Sequence, residues 1–366
     1  IPGSALTDDA PVSDRPVAEP DRTRDPGRYG TALDPATIPL PKDLDGELLE
    51  IIASPNLCSR RWVYQQYDSY VGGNTLVHPG SDAAVVRVRE TGGALAATTD
   101  CNSRYCALDP YLGTQHAVAE GVRNLACTGA RAAALSDCLN FGSPEKPEIM
   151  WEFVRSIEGM AAACEIFETP VISGNVSFYN DTLGSSVPPT PTVAMVGIAK
   201  DSRRIARAGF ERSGDLVVLL GGGRPELEGS EYLAYRHGQR GDRPPKLDLA
   251  AERATSSACV RIIEEGLARV AHDVSDGGIA VALAEMSLEG TGIGCRVDLR
   301  TRDRVDTALF GESGCRILLA LDAKALPAAE LIATSEDVPL VVIGETGGNR
   351  LFIRLAGEAG VVGGID

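Results

Sequence analysis

Pro147-Glu-Ile-Met-Trp-Glu-Phe-Val-Arg-Ser-Ile-Glu-Gly-Met-Ala-Ala-Ala-Cys164 carries the most regular pattern in the chain, and Pro170-Val-Ile-Ser173 follows five residues later. Ile149, Phe153, Ile157, Met160, Ala161 and Cys164 recur at three- and four-residue steps, which predicts an amphipathic helix with those side chains on its buried face. Residues 170–173 then read as a short strand. Upstream, 45–53, 60–67 and 111–127 have helical spacing, while 83–88, 94–99 and 132–136 read as strands. Downstream come a strand at 193–198, a connector at 201–214 and a buried-strand run at 216–220 that ends in Gly221-Gly222-Gly223. Helices around 249–266 and 278–288 and strands at 316–321, 339–343 and 351–355 complete the pattern. Strands and helices alternate without a strict βαβ rhythm. The expected class is therefore α+β: two layered units, each with helices on one face of a mixed sheet.

The 366 residues allow about two domains. Eight of the 22 prolines fall within the first 41 residues, among Asp, Arg, Thr and Ser. Such a stretch buries too little apolar surface to offset its ordering entropy, so 1–42 reads as a linker or surface-draped extension. With 43% hydrophobic and 23% charged residues the remainder is globular in composition. Acids outnumber bases 51 to 35, a formal charge of −16, which disfavours duplex nucleic acid and anionic membranes as partners. No run approaches the ~18 apolar residues of a membrane span. Nine cysteines, odd in number and without a C-x-x-C pair, read as thiols in a reducing compartment. A soluble, cytoplasmic protein, and a piece of a longer chain, is the expectation.

The common phosphate and hydrolase signatures are missing: no G-x-x-x-x-G-K-[ST], no G-x-G-x-x-G after a strand, no G-x-S-x-G, no H-E-x-x-H. What remains is four polar clusters at the ends of expected strands: Thr98-Thr-Asp-Cys-Asn102, Ser136-Asp-Cys-Leu-Asn-Phe-Gly142, Ser173-Gly-Asn-Val-Ser177 and His272-Asp-Val-Ser-Asp-Gly-Gly278. Each sets a hard oxygen donor beside small residues, as Mg²⁺–triphosphate binding requires. Any one of them is also explained as a capped turn, and Ser275 or Asp276 would serve as N-cap for the helix from Gly278. For His272 the local reading is a histidine satisfied by neighbouring hydrogen bonds.

The long run Asp137-Cys-Leu-Asn-Phe-Gly-Ser-Pro-Glu-Lys-Pro-Glu-Ile-Met-Trp151, with Thr169-Pro-Val-Ile-Ser-Gly-Asn-Val-Ser-Phe-Tyr-Asn180, resembles the large subunit of phosphoribosylformylglycinamidine synthase, within the AIR-synthase superfamily. Ser54-Pro-Asn56, Thr98–Tyr105, Gly229-Ser-Glu-Tyr-Leu233 and Ala271–Gly278 add to the resemblance, which covers nearly the whole chain from Arg15 onward. It is a resemblance to the second half of that subunit only. It implies an AIR-synthase-type N-terminal domain at 43–205 and a C-terminal one at 206–366, with 1–42 as the connector between halves.

The implied reaction is ATP- and Mg²⁺-dependent conversion of formylglycinamide ribonucleotide to the amidine, with glutamine-derived ammonia. The implied partners are the N-terminal half of the same enzyme, a glutaminase subunit and a small PurS-type subunit. Residue by residue, the resemblance implies ATP contacts at Asp137 and Gly174, an Mg²⁺ ligand at Asn175 and a substrate contact at Ser177. The catalytic histidine belongs to the other half, so the chain alone is expected to be inactive. The internal duplication further implies an auxiliary nucleotide and Mg²⁺ pocket at Asp100 and Asn102, binding without turnover, because Asn102 stands where a proton-exchanging histidine would be needed. Glu312 and Ser313, in a degenerate copy of a substrate motif, are expected only to cap the strand at Arg316. A non-catalytic nucleotide-binding scaffold, or another ATP-dependent member of the superfamily, remains open at this point.

Overall fold

The computed structural model describes residues 2–7, 9–10, 14–357 and 360–366. The extension has no core of its own. It runs as extended chain broken by short helical turns, Gly3–Leu6, Arg22–Arg24, Pro35–Thr37 and α1 (Pro26–Tyr29), and is pinned to the body by arginines. Arg28 donates through Nε and Nη2 to Glu152 at 2.8 and 2.6 Å, and the Tyr29 hydroxyl adds a third bond at 3.0 Å. Glu152 is completely buried, so this pairing offsets the cost of desolvating its carboxylate. Farther along, Arg304 donates to the carbonyls of Pro35 and Ile38.

After α2 (Leu44–Ile52) and α3 (Arg61–Tyr64) comes the first sheet: β1 (Thr75–Val77), β2 (Ala84–Arg87), β3 (Ala94–Asp100), β4 (Arg131–Asn140), β5 (Val171–Ser177) and, beyond a small hairpin of β6 (Asp181–Thr182) and β7 (Ser185–Ser186), β8 (Thr190–Ala199). The strand order is β1-β2-β3-β8-β4-β5, which leaves β5 at an edge. Only β4 and β5 run parallel, as the crossover helix α6 (Pro147–Phe167) between them requires. α4 (Ser103–Leu108) leads into α5 (Pro110–Cys127), which packs with α6 on one face of this sheet. The opposite face carries Val86, Leu95, Val196 and Ile198, all more than 40% exposed.

Helix α6 forms where its spacing predicts, but its buried face is turned from the expected one. Ile149 and Met160 are buried as expected, whereas Ile157 is 41% exposed and Ala161 faces solvent. Glu152, Ser156, Gly159 and Ala163 are buried instead. Gly159 shows why: a Cβ there would lie 2.2 Å from the Tyr111 carbonyl oxygen, so α5 and α6 touch backbone to backbone.

The second sheet contains β9 (Leu216–Leu220), β10 (Ala268–Asp273), β11 (Cys295–Arg300), β12 (Ile317–Leu321), β13 (Leu340–Thr346), β14 (Leu351–Gly357) and β15 (Gly360–Ile365), in the order β10-β12-β9-β13-β11-β14-β15. Its helices are α7 (Glu231–His237), α8 (Leu249–Glu264), α9 (Gly278–Leu288), α10 (Val305–Phe310) and α11 (Leu326–Ser335). Here the one-face expectation is corrected. α9 and α10 cover one face through Val217, Leu318 and Ala320, while α8 and α11 cover the other through Val218, Ile317 and Leu319. The all-apolar strand β12 is the consequence, since both of its faces are buried. A second correction concerns α2, which the sequence reading sets within 43–205: its Leu48 and Ile51 are buried in the core of the second sheet.

Candidate functional site: a strand edge and an acidic cavity

β4 runs on to Asn140, so Asp137 lies inside the strand rather than in a loop after it, and the same holds for Gly174, Asn175 and Ser177 in β5. The parallel register sets Asp137 against Gly174, Cys138 against Asn175 and Asn140 against Ser177. Asp137 and Gly174 interlock: a Cβ on residue 174 would sit 2.5 Å from Asp137 Oδ1 and 2.6 Å from Oδ2. Burial pushes the Asp137 carboxyl up from its ordinary value, and a hydrogen bond from the Asn175 backbone amide pulls the other way.

Strand alternation then divides the expected quartet. Asp137 pairs across β8 with Val193, whose side chain is buried under the helices, so Asp137 and Gly174 share the helix-covered face at its edge. Asn175 points to the opposite, uncovered face, where its Nδ2 reaches Cys138 Sγ at 3.8 Å. Ser177 belongs to that same face and hydrogen-bonds Asn180. The two segments lie side by side as the resemblance implies, and their four residues fall in two pairs, one on each side of an exposed edge strand.

The second cluster builds a cavity of about 410 Å³ between the two sheets, lined by Thr98, Thr99 and Asp100 from β3, Glu120 and Asn124 from α5, His272 and Asp273 from β10, and Ser275 and Asp276 from the β10–α9 turn. Asp100 accepts hydrogen bonds from Asn124 Nδ2 at 2.7 Å and from the Thr98 hydroxyl at 2.9 Å. Burial nevertheless pushes it up to about 7. Asp273 is raised to about 6, again by burial, although Arg123 Nε donates to it at 3.1 Å. Glu120 is raised by burial and by Asp100. His272 sits between Asp82 at 2.8 Å and Glu285 at 3.1 Å, and these carboxylates hold it protonated against the opposing effect of burial. Ligand atoms of Asp82, His272 and Asp273 lie within 4.8 Å of one another. So many carboxylates facing one space offer hard oxygen donors of the type divalent cations take.

Asn102 does not line this cavity. It caps α4, with its Oδ1 accepting from the amides of Arg104 and Tyr105 and its Nδ2 donating to Asp276 at 2.9 Å. Its carboxamide is fully engaged. The expected side-chain cap of α9 is absent too: the N-cap is Gly277, at φ 82°, and its amide donates to Glu312 at 2.8 Å. Glu312 is thus more than a strand cap. It also takes the Tyr105 hydroxyl and the Glu231 amide, and Arg104 pairs with Glu231 at 2.8 Å. Ser54 and Asn56 donate to the other sides of Glu231. Four of the sequence motifs therefore meet in one buried ionic knot that joins the two sheets.

Sequence reasoning missed Asp82, Glu120 and Asn124. A signal for the last two was present: His116, Glu120 and Asn124 recur every four residues along the helix at 110–127, marking a polar stripe.

Residues 80–199 match the family model for the AIR synthase related protein, N-terminal domain, and residues 212–355 match that for the C-terminal domain. The chain belongs to the AIR synthase related family. It is 47% identical over 361 residues to the phosphoribosylformylglycinamidine synthase subunit PurL of Moorella thermoacetica, an alignment covering 98% of this chain and 48% of the relative. The same-named subunit of Alkaliphilus metalliredigens is 45% identical over 326 residues, 89% of this chain and 44% of that one. The chain thus spans about half the length of the curated relatives it matches. Among solved structures, T. maritima PurL complexed with FGAR superposes with a TM-score of 0.70 at 19% identity, over 89% of this chain and 52% of that one. The tt0281 protein of Thermus thermophilus gives 0.59 at 19% identity, over 81% and 96%. At such identities the likeness shows the fold. No helix among the described residues is long and apolar enough to cross a membrane.

Proposed function

We propose that the chain supplies the second half of a phosphoribosylformylglycinamidine synthase large subunit, a carbon–nitrogen ligase of purine biosynthesis. The observation that carries this reading is the 47% identity over 361 residues to a relative of that name. In the proposed reaction the amide oxygen of formylglycinamide ribonucleotide takes the γ-phosphoryl group of ATP and ADP leaves. Ammonia from glutamine then attacks the activated carbon, phosphate departs, and the amidine remains.

The edge of the first sheet supports a division of labour. A carboxylate repels a polyphosphate, so Asp137 suits a donor on the base or ribose of ATP, and the missing Cβ of Gly174 leaves room for that approach. Asn175 Oδ1 is a hard, neutral oxygen on the uncovered face and fits one position of an Mg²⁺ shell completed by phosphates and water. Mg²⁺ held there would neutralise charge on the polyphosphate and on the transferring group. Ser177, on the same face, would orient the substrate through its hydroxyl. The acidic cavity at Asp100 is the proposed auxiliary Mg²⁺–nucleotide site, with Asn102 contributing only through the turn it caps.

The remaining half of the subunit is the proposed cover for the uncovered face, where Val86, Leu95, Val196 and Ile198 expose more apolar surface than a solvated sheet needs. A glutaminase subunit and a small PurS-type subunit complete the proposed assembly, in keeping with the solved structure of PurLQS from Thermotoga maritima, which shares the fold. The test is ADP release with formylglycinamide ribonucleotide, ammonia, ATP and Mg²⁺. No turnover is expected from the chain alone, with turnover appearing when the other half is supplied. Turnover by the 366 residues alone, or none with both halves folded and joined, overturns the reading.

A further inference from the structure

The carboxyl ends of β9 and β11 open into a separate cleft of about 450 Å³, which shares no lining residue with the acidic cavity. Four guanidinium groups line it, from Arg224, Arg300, Arg302 and Arg316, against the single carboxylate of Asp303. Asp303 is engaged with Arg224 at 2.7 Å.

Arg316 is the unusual member. It is only 4% exposed; its Nη2 donates to the Gly311 carbonyl at 3.1 Å, and its Nε finds no partner among the described residues. Burial and repulsion from Arg123 lower its pKa to about 10. The neighbouring carboxylate, Glu312, does not serve as its counter-ion. Its oxygens are taken by the Tyr105 hydroxyl and the amides of Glu231 and Gly277, and burial raises it to about 8. Ser313 Oγ is likewise buried and without a partner among the described residues. It lies against Gly223 in the cleft wall, where a Cβ would come within 2.8 Å of that oxygen.

An Nε–H can only donate, and a hydroxyl can donate, so both orphaned groups want an acceptor. An acceptor that also answers the surrounding arginines is an oxyanion. A tetrahedral phosphoryl group, with three terminal oxygens, matches a hydroxyl and several guanidinium groups better than a planar carboxylate does. The apolar walls, among them Ile279 and Leu299, strengthen such contacts by excluding water.

We propose that this cleft binds the phosphoryl group of a phosphate monoester, with Arg316 at its floor and Arg300 at its rim. The proposal does not depend on the roles assigned to Asp137 and residues 174–177. Calorimetric titration of the chain with inorganic phosphate, AMP and ribose 5-phosphate, in chelator, tests it. Without divalent cations the acidic cavity repels these anions, so binding there is suppressed. Binding is expected, weakened ~10-fold or more by Arg300→Ala, an exposed change that spares the fold, and also by Arg316→Lys. Asp100→Asn should leave it unchanged. AMP binding well ahead of ribose 5-phosphate would identify a nucleotide as the source, and equal affinities a generic phosphate monoester. The proposal is overturned by absence of binding at millimolar concentrations. Affinity indifferent to Arg300→Ala in a folded variant overturns it too, as does a selenate-soaked crystal with only water at Arg316 Nε.

Discussion

Replacing Asp100 by asparagine will stabilise the chain at pH 8 and flatten its pH dependence. The side chain is 9% exposed, and burial raises its carboxyl from 3.8 to about 7. A rise of that size corresponds to ~4 kcal/mol of unfavourable ionisation. Asp273, raised to about 6, shares the same cavity and part of the same repulsion, which leaves ~2 kcal/mol for Asp100 alone. The sign follows from proton binding. Between about pH 4 and 7 the native state keeps a proton that the unfolded chain has lost, so stability falls as pH rises through that window. Asparagine cannot ionise, yet it can still accept from Asn124 and bond Thr98, so only the charge is removed. Thermal unfolding in chelator should give Tm values that converge toward pH 3 and a Tm ~2–4 °C higher for the variant at pH 8. Added Mg²⁺ should raise the wild-type Tm at pH 8 more than that of the variant. A variant that is no more stable at pH 8, or one with the wild-type slope between pH 4 and 8, would refute the reasoning.

Gly174→Ala puts a methyl group 2.5 Å from Asp137 Oδ1. It should displace the carboxylate and raise the KM for ATP of the joined protein by ~10-fold or more, for a stability cost of ~1–3 kcal/mol. Arg104→Met removes the cation of the buried knot around Glu231 and Glu312, and urea melts should show a loss of ~3–5 kcal/mol. The loss should be larger at pH 9, where Glu312, raised to about 8, is ionised, than at pH 5.5, where it is neutral. Arg28→Ala leaves Glu152 buried with only the Tyr29 hydroxyl, and limited proteolysis should then cut the extension between 14 and 42 faster than in the parent chain.

The strand and helix pattern was legible in the extent of the helix from Pro147 and in the buried strand from Leu216. It failed where a distant partner decides. Glu152 looks like a solvent-facing residue in the run 147–164, and only Arg28 and Tyr29, more than a hundred residues away, make it a core residue. The polar ends of β4 and β5 read as loops because Asp, Asn and Ser favour turns. In the folded chain Asp137 is satisfied by a neighbouring strand amide, and Gly174 accommodates it. The candidate site was legible as a pairing of two segments, but not as two faces. Alternation assigns Asn175 to the face opposite Gly174, and that follows only once both residues are known to lie in a strand. His272 is satisfied by hydrogen bonds as expected, with Asp82 and Glu285. The arginine-lined cleft left no motif at all, because Arg224, Arg300 and Arg316 are brought together by sheet order alone.

The most direct test is a crystal structure of the chain joined to its other half, with Mg²⁺ and a non-hydrolysable ATP analogue. The expected result is a nucleotide at the β4–β5 edge, its base or ribose within hydrogen-bonding distance of Asp137 and the metal on Asn175 Oδ1. Nucleotide density elsewhere, with Asp137 and Asn175 packed against the other half and no room for a ligand, would contradict it.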